Sequence, residues 1–354
     1  MNNIDRIKKA ISEQEYDAFL VTSPTNRRFA TGFESGSGVL LITEYCAWFL
    51  TDSRYIEAAE IAVSGANILL VTNENPYSAQ IKAALDEYKI VSLGFEENSV
   101  TYSEYLNWKE KLNIKLVPAQ KLLDEMRAVK SADDLDKMIK TQRIAEKSFE
   151  EVLPLISTDM TEKELAAELL YRFLCNGADD KSFDTIAVSG PKSSMPHGVP
   201  GDNKIGKGFL TIDFGARLDG WCSDTTRTLC VGKPDDEMLN VYDTVLKAQS
   251  AGIRAARAGA VCSAVDAEAR SVIEKAGYGE YFGHGFGHGV GLEVHESPRI
   301  AKGVDDVLPV GAVISAEPGI YLPGRYGVRI EDVLYITESG CEDITNLTKD
   351  LIIL

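Results

Sequence analysis

The 354-residue sequence predicts two domains, a small α/β domain followed by a larger α+β one. Three observations carry this. The chain is long for a single core. Its first third alternates strand-like apolar runs with helical ones. From about residue 130, capped amphipathic helices alternate with hairpin-like β segments. The opening "MNNIDRIKKAISEQEYDAF" reads as a polar helix and lacks the apolar stretch of a signal peptide. "YDAFLVTS", "GVLLIT", "AWFLTD" and "NILLVT" follow as strands, "YSAQIKAALDEY" as a helix, and "KIVSLGF" as a further strand. The α/β domain is therefore expected over residues 1–124 and the second domain over 130–354. Ser131 and Asp134 form an acidic capping box. Behind them Leu135, Met138, Ile139, Ala145, Phe149 and Val152 recur at helical spacing, which predicts a helix over 132–153. Thr161 and Glu164 open another, with Leu165, Leu169, Leu170 and Phe173 on its apolar face. Two more helices are expected at about 237–258 and 264–275, the latter closed by Gly277.

Composition narrows the function. Hydrophobic residues at 44% and charged ones at 26% suit a soluble globular protein. A formal charge of −17 argues against a nucleic-acid partner, because phosphate backbones reward clustered Lys and Arg. The longest apolar run, "GVLLITEYCAWFL", is interrupted at Thr43 and Glu44 and is too short to span a membrane. Six cysteines without a CxxC pair read as reduced thiols in or near the core. A cytoplasmic protein is expected, with no membrane partner.

Chemistry first shows in residues 209–229, "FLTIDFGARLDGWCSDTTRTL", which read as two strands around an Asp219–Gly220 turn. A loop with an even number of residues places Asp213 and Asp224 on one face of that hairpin. Carboxylates facing each other across neighbouring strands repel. Asp213 also ends an apolar run, where burying it unpaired is costly. Solvent-facing strand ends are the commoner setting for one Asp, but a cation between the two explains the pair. A second acidic set lies in "ISAEPGIY" and "GVRIEDVLYIT". Glu317 ends a run stopped by Pro318–Gly319. Glu331 is expected inside a strand that shows Arg329, Glu331, Val333 and Tyr335 on one face. An Arg329–Glu331 ion pair is the plain structural alternative.

Three of the four histidines fall in "GHGFGHGVGLEVHE", residues 283–296. His284 and His288 have the spacing of a helical metal motif. The interleaved glycines exclude a helix, which they would destabilise by roughly 5 kcal/mol in total. An extended segment instead puts His284, Phe286, His288, Val290 and Leu292 on one face, with bare backbone opposite for another segment or a ligand to approach. Spacing does not choose between His284 and His288 as a ligand. Four carboxylates with one or more imidazoles form an oxygen-rich site suited to Mn²⁺, Co²⁺, Fe²⁺ or Zn²⁺. That many acids point to two metal ions and to hydrolysis.

In combination, "DFGARLDGWCSDTTRT", "GHGFGHGVGLEVHESP", "EPGIYLPGRYGVRIED" and "MPHG" resemble the creatinase/prolidase/aminopeptidase P family, and the resemblance covers essentially the whole chain. It implies a pita-bread catalytic domain of α+β class after a smaller α/β creatinase-type domain. It implies two divalent metal ions, Mn²⁺ first with Co²⁺ or Zn²⁺ as alternatives, on Asp213, Asp224, His288, Glu317 and Glu331. His197, His295 and Glu317 are implied as catalytic. Phe183, His197, His284, His295, Tyr321 and Arg329 are implied as substrate-binding, with Phe183 near a proline pocket and Tyr321 and Arg329 orienting the carboxylates. The activity implied is hydrolysis of the bond before proline in a proline-containing peptide. "TNRRFATGFESGSGVLLIT" and "WFLTDSRYIEAA" are more similar to Xaa-Pro aminopeptidases than to Xaa-Pro dipeptidases. An aminopeptidase is therefore expected, with the dipeptidase as the enzymatic alternative. A metal-free peptide-binding module is the non-enzymatic one, and retention of all five ligands argues against it. Glu34 and Ala316 depart from the family pattern without touching a ligand. The resemblance also implies a homodimer.

Overall fold

A computed structural model describes residues 2–354, and they divide into two compact units, the first ending at Met126 and the second running over Arg127–Leu354. In the first unit α1 (Asn3–Ile11) starts at Asn2, whose side chain accepts from the Asp5 amide, and buries Ile4, Ile7 and Ile11. It is followed by β1 (Ala18–Val21), α2 (Pro24–Thr31), β2 (Val39–Thr43), β3 (Ala47–Thr51), α3 (Ile56–Ala62), β4 (Asn67–Leu70), α4 (Tyr77–Glu87), β5 (Ser92–Phe95), α5 (Tyr102–Leu112) and β6 (Lys115–Pro118). α6 (Gln120–Ala128) closes the series. The strands form one mixed sheet in the order β4-β3-β2-β1-β5-β6. β1, β2 and β3 pair antiparallel, whereas β3–β4, β1–β5 and β5–β6 are parallel. β1 and β3 are buried at every position, as their unbroken apolar runs require. The α/β class is as expected. Helices α2, α3 and α5 go beyond the elements read from apolar periodicity. α5 is marked instead by a reciprocal Thr101–Glu104 capping box.

The second unit consists of two halves, each a helix pair laid on a sheet, which is the pita-bread arrangement. α7 (Ala132–Val152) and α8 (Glu162–Cys175) start at the two expected capping boxes, both reciprocal. Near them lie β7 (Asp180–Lys181), β8 (Ile186–Ser189), β9 (Gly208–Phe214), β10 (Ala216–Leu218), β11 (Trp221–Cys222) and β12 (Thr225–Val231). β12-β9-β8 and β11-β10-β7 are separate three-stranded sheets. Phe149 of α7 stacks on Phe214 of β9 at 4.8 Å between ring centroids, at the centre of this core. The other half has α9 (Asp236–Ala255) and α10 (Cys262–Lys275) over β13 (Gly287–Gly289), β14 (Glu296–Ile300), β15 (Val313–Ala316), β16 (Gly319–Leu322), β17 (Tyr326–Arg329), β18 (Asp332–Ile336) and β19 (Cys341–Asp343). Here the main sheet runs β14-β13-β15-β18-β19, and β16 pairs with β17 alone.

The cysteines are all free, and Cys222, Cys230 and Cys262 are buried. No helix among the described residues is long and apolar enough to cross a membrane. One stability test arises from the helix starts. Thr161 accepts from the Glu164 amide, and the Glu164 carboxylate accepts from the Thr161 amide at 2.7 Å. Thr161→Ala is expected to lower stability by about 1 kcal/mol, read as a shift in the urea midpoint.

Candidate metal centre

The acidic residues singled out by sequence gather where strands stop. β9 and β12 pair with Asp213 opposite Thr226, and β10 and β11 pair with Leu218 opposite Trp221. The register is the same in both ladders. Asp224, two residues before Thr226, therefore faces the same way as Asp213. Asp219 and Gly220 form the turn with φ of 47° and 78°, the left-handed values of a type I′ hairpin. The hairpin is nevertheless split. Gly215 separates β9 from β10, and a Cβ there would collide with Ser182 and with the Ser223 carbonyl. Only glycine admits these segments so close together.

On the other half, Glu317 lies between β15 and β16. Glu331 does not sit inside a strand, as its pattern suggests, but between β17 and β18. The cause is a change of partner. β17 pairs with β16 in the two-stranded sheet, whereas β18 pairs with β15 in the larger one. At the break the Glu331 amide donates to the Thr226 carbonyl at 3.1 Å. Arg329 pairs with Asp213 at 2.7 Å, in place of the Arg329–Glu331 pair open from sequence.

The histidine segment is extended only over Gly287–Gly289, and its ladder shifts register between His288 and Gly289. Phe286 sinks into the core, against the place a Cβ of Gly252 would take on α9. A single face running from His284 to Leu292 is therefore interrupted. The bare-backbone expectation holds. A Cβ at Gly287 would strike the Ser315 carbonyl, and one at Gly289 the Ser297 carbonyl, so the glycines admit the neighbouring strands. His288 Nδ1 lies 3.1 Å from the Gly289 carbonyl oxygen and donates to it in the neutral ring. Nε2 is then free for the acids, 3.1 Å from Glu317 Oε1 and 3.7 Å from Asp224 Oδ2. His284 repeats this with Gly285, but its Nε2 faces the Tyr321 hydroxyl at 3.0 Å. The tautomers follow from these partners.

Asp224, His288 and Glu331 offer ligand atoms that all lie within 4.8 Å of one another. Asp213 Oδ1 and Glu331 Oε1 are buried without a hydrogen-bond partner. Burial, then the charge of neighbouring carboxylates, pushes the Asp224 and Glu331 carboxyls well above the usual range. Burial also raises Asp213, even with Arg329 beside it. His288 moves the other way for a buried imidazole. Burial lowers it, but the hydrogen bond and charge of Glu317 outweigh that and bring it to about 9. Glu317, pushed up by burial, is brought down to about 2 by His288. The acids around His288 thus favour positive charge at this place, as they would a metal cation. Orphaned oxygens, crowded carboxylates and an imidazole with an available Nε2 fit divalent ions.

Around this set runs a relay of donors. Arg329 donates to Asp213 Oδ2, to Thr226 Oγ1 and to the Tyr321 hydroxyl, which in turn meets His284. Thr226 Oγ1 donates to Glu331 Oε2 at 2.7 Å. Thr226 is not among the residues expected from sequence, although its register place opposite Asp213 marks it. Ser315 Oγ, accepting from the His288 amide and facing Glu317, has no sequence signal. Phe183 lies against Gly215, whose Cβ would come 2.9 Å from the Phe183 ring. The His295 ring stands edge-on to His288, 4.3 Å between centroids. Burial first, then the nearby His288 and His197, keep His295 below its ordinary pKa. His197 is exposed, on a segment tied down where Arg329 donates to the Pro196 carbonyl.

Comparison with known proteins is consistent along the chain. The model of metallopeptidase family M24 matches residues 136–338, and that of the creatinase/prolidase N-terminal domain matches residues 3–129. An Xaa-Pro dipeptidase from Bacillus anthracis, of known structure, is 39% identical with a TM-score of 0.96 and coverage of 99% of each chain. An X-Pro aminopeptidase from Thermotoga maritima is 35% identical with a TM-score of 0.93, covering 100% of both. An Xaa-Pro dipeptidase from Pyrococcus furiosus is 34% identical over 99% of each sequence.

Proposed function

Since the chain belongs to metallopeptidase family M24, we propose that it is a proline-directed exopeptidase whose preferred substrates are Xaa-Pro dipeptides. The convergence of Asp213 in β9, Asp224 before β12, His288 in β13, Glu317 after β15 and Glu331 before β18 carries the peptidase reading. These residues would hold two divalent ions, which supply Lewis acidity to the scissile carbonyl and to a water. Mn²⁺ is the ion proposed, with Co²⁺ or Zn²⁺ as alternatives. Arg329 fixes Asp213 through Oδ2, and the partnerless Oδ1 would be available to an ion. Glu317 takes the proton of the attacking water at its carboxylate and returns it to the leaving prolyl nitrogen. His295 and His197 offer N–H groups to the carbonyl oxygen as it gains charge. His284 and Tyr321 form the polar wall of the pocket, and Phe183 an apolar one for the ring. Proline's tertiary amide has no N–H, so ring shape has to replace the backbone hydrogen bond in recognition.

The dipeptide preference is supported by the dipeptidase names of the Bacillus and Pyrococcus relatives. The aminopeptidase reading is the second one. It is favoured by the "TGFESGSG" stretch and by the Thermotoga relative. Glu34 in that stretch is a charged departure, paired with Arg28. Steady-state kinetics on Xaa-Pro, Xaa-Pro-Yaa and Xaa-Ala substrates separate the readings. The expected kcat/KM for Xaa-Pro exceeds that for the longer peptide by roughly tenfold, about 1.4 kcal/mol of transition-state binding. The reverse order selects the aminopeptidase, and equal rates on Xaa-Ala remove proline specificity. A homodimer in the cytoplasm completes the proposal. Light scattering on the purified protein tests its oligomeric part.

A further inference from the structure

Behind the histidine segment lies a buried charge cluster that the reaction does not use. Glu296 opens β14, and its side chain is only 6% exposed. One carboxylate oxygen accepts from Lys130 Nζ at 2.5 Å, and the other from the Arg127 guanidinium. The Lys130 side chain is 1% exposed. Arg127 also donates to Glu293 at 2.7 Å, so one guanidinium holds the chain on both sides of His295. The cationic segment is itself anchored. The Lys130 amide donates to the Gly311 carbonyl, and Val129 bridges to Ala312 just before β15.

The loop is folded around this carboxylate. Gly289 pairs with Glu296 and closes the loop, leaving His295 immediately inside the closing pair. A Cβ on Gly291 would strike the Glu296 carboxylate, so the loop backbone lies directly on it. The Gly291 carbonyl is taken by the Cys222 amide. Glu296 is thus drawn in against Lys130 and Arg127, while the adjoining His295, in the bend just before β14, meets His288 edge-on. A buried ion cluster is a poor source of stability compared with apolar packing of the same volume. What it does supply is direction, through short charged hydrogen bonds.

We infer that Glu296, gripped by Lys130 and Arg127, is the positioning residue of His295 and fixes that imidazole beside the metal ligands without touching substrate. The inference rests on the proposed action of His295 at the substrate carbonyl. Glu296→Gln keeps the shape and removes the charge. It is expected to lower kcat about 10- to 100-fold with metal content unchanged and KM nearly so. With four histidines in the chain, a ¹H–¹⁵N spectrum of zinc-loaded protein resolves each ring. The His295 signals should move in Glu296→Gln while those of His284 stay.

Kinetics of the double variant carry the decisive comparison. If Glu296 acts through His295, His295→Ala with Glu296→Gln is no slower than His295→Ala alone. Losses that multiply, or a His295 ring that does not move, overturn the inference. If His295→Ala alone has full activity, the proposed role of His295 fails, and the ring signals still decide whether Glu296 positions it. Should Glu296→Gln not fold, Glu293→Gln on its half-exposed side chain removes one of the two Arg127 anchors. There the His295 signals should again shift, and unmoved signals overturn the inference.

Discussion

Stripping divalent ions with a chelator is expected to abolish hydrolysis, and adding Mn²⁺ or Co²⁺ to restore it. Asp213, Asp224 and Glu331 are buried carboxyls held above their usual pKa, and two of their oxygens have no partner. Without metal nothing in this set offers the Lewis acidity that activates a water and polarises a carbonyl. One lost oxyanion donor costs roughly 10²–10³ in turnover, and loss of the ions removes more than one such term. A loss beyond about 10³-fold is therefore expected. Full activity in a sample shown to be metal-free overturns the metal reading. Glu331→Gln should lower metal stoichiometry, whereas unchanged binding makes this acid structural. The sign of the pH dependence also follows. Groups with raised pKa hold protons that an incoming cation must expel, so metal affinity should rise with pH. Calorimetry in buffers of different ionisation enthalpy should register the released protons.

His288→Ala and His295→Ala are expected to fail in different ways. His288 presents Nε2 to Glu317 and Asp224, with Nδ1 engaged by Gly289. Its removal should lower metal affinity, and excess metal should restore part of the activity. His295 stands one ring further out and touches His288 edge-on. His295→Ala should keep its metal and still lose roughly 10²–10³ in turnover, with kcat falling more than KM rises. Metal analysis and steady-state kinetics on both variants decide the matter. Loss of metal from His295→Ala with retention in His288→Ala would reverse the two assignments.

The acidic hairpin is legible in sequence because register parity is arithmetic. The parity survives the break at Gly215, since Leu218–Trp221 and Asp213–Thr226 keep one register across it. The break at Glu331 is less legible. In "GVRIEDVLYIT" no glycine or proline marks it, only the adjacent acids Glu331 and Asp332, and the change of partner strand divides it. Nor does local sequence choose His288 over His284. Each is followed by a glycine whose carbonyl takes its Nδ1. What separates them is Phe286 turning into the core against Gly252, a contact with a residue far away in sequence. Arg227 is fully buried in a run of threonines and donates to the carbonyls of Thr226 and Glu331. Its partners are distant in sequence, so pattern alone passes over it. Substrate length is harder still. The "TGFESGSG" resemblance pointed to longer peptides, while the dipeptidase relatives pull the other way, because motif likeness does not encode the shape of a pocket mouth.

The spread of the proposed ligands over both halves has a consequence for the life of the protein. Asp213 and Asp224 come from the half built on α7 and α8, and His288, Glu317 and Glu331 from the half built on α9 and α10. No short stretch of chain holds a usable set, so an ion meeting the unfolded polypeptide finds nothing to organise. In a zinc finger the metal makes the fold. Here the sheets must be complete before the ion has anywhere to go. Metal scarcity should therefore leave a stock of folded, idle molecules that awaken on contact with the ion, with no new synthesis required.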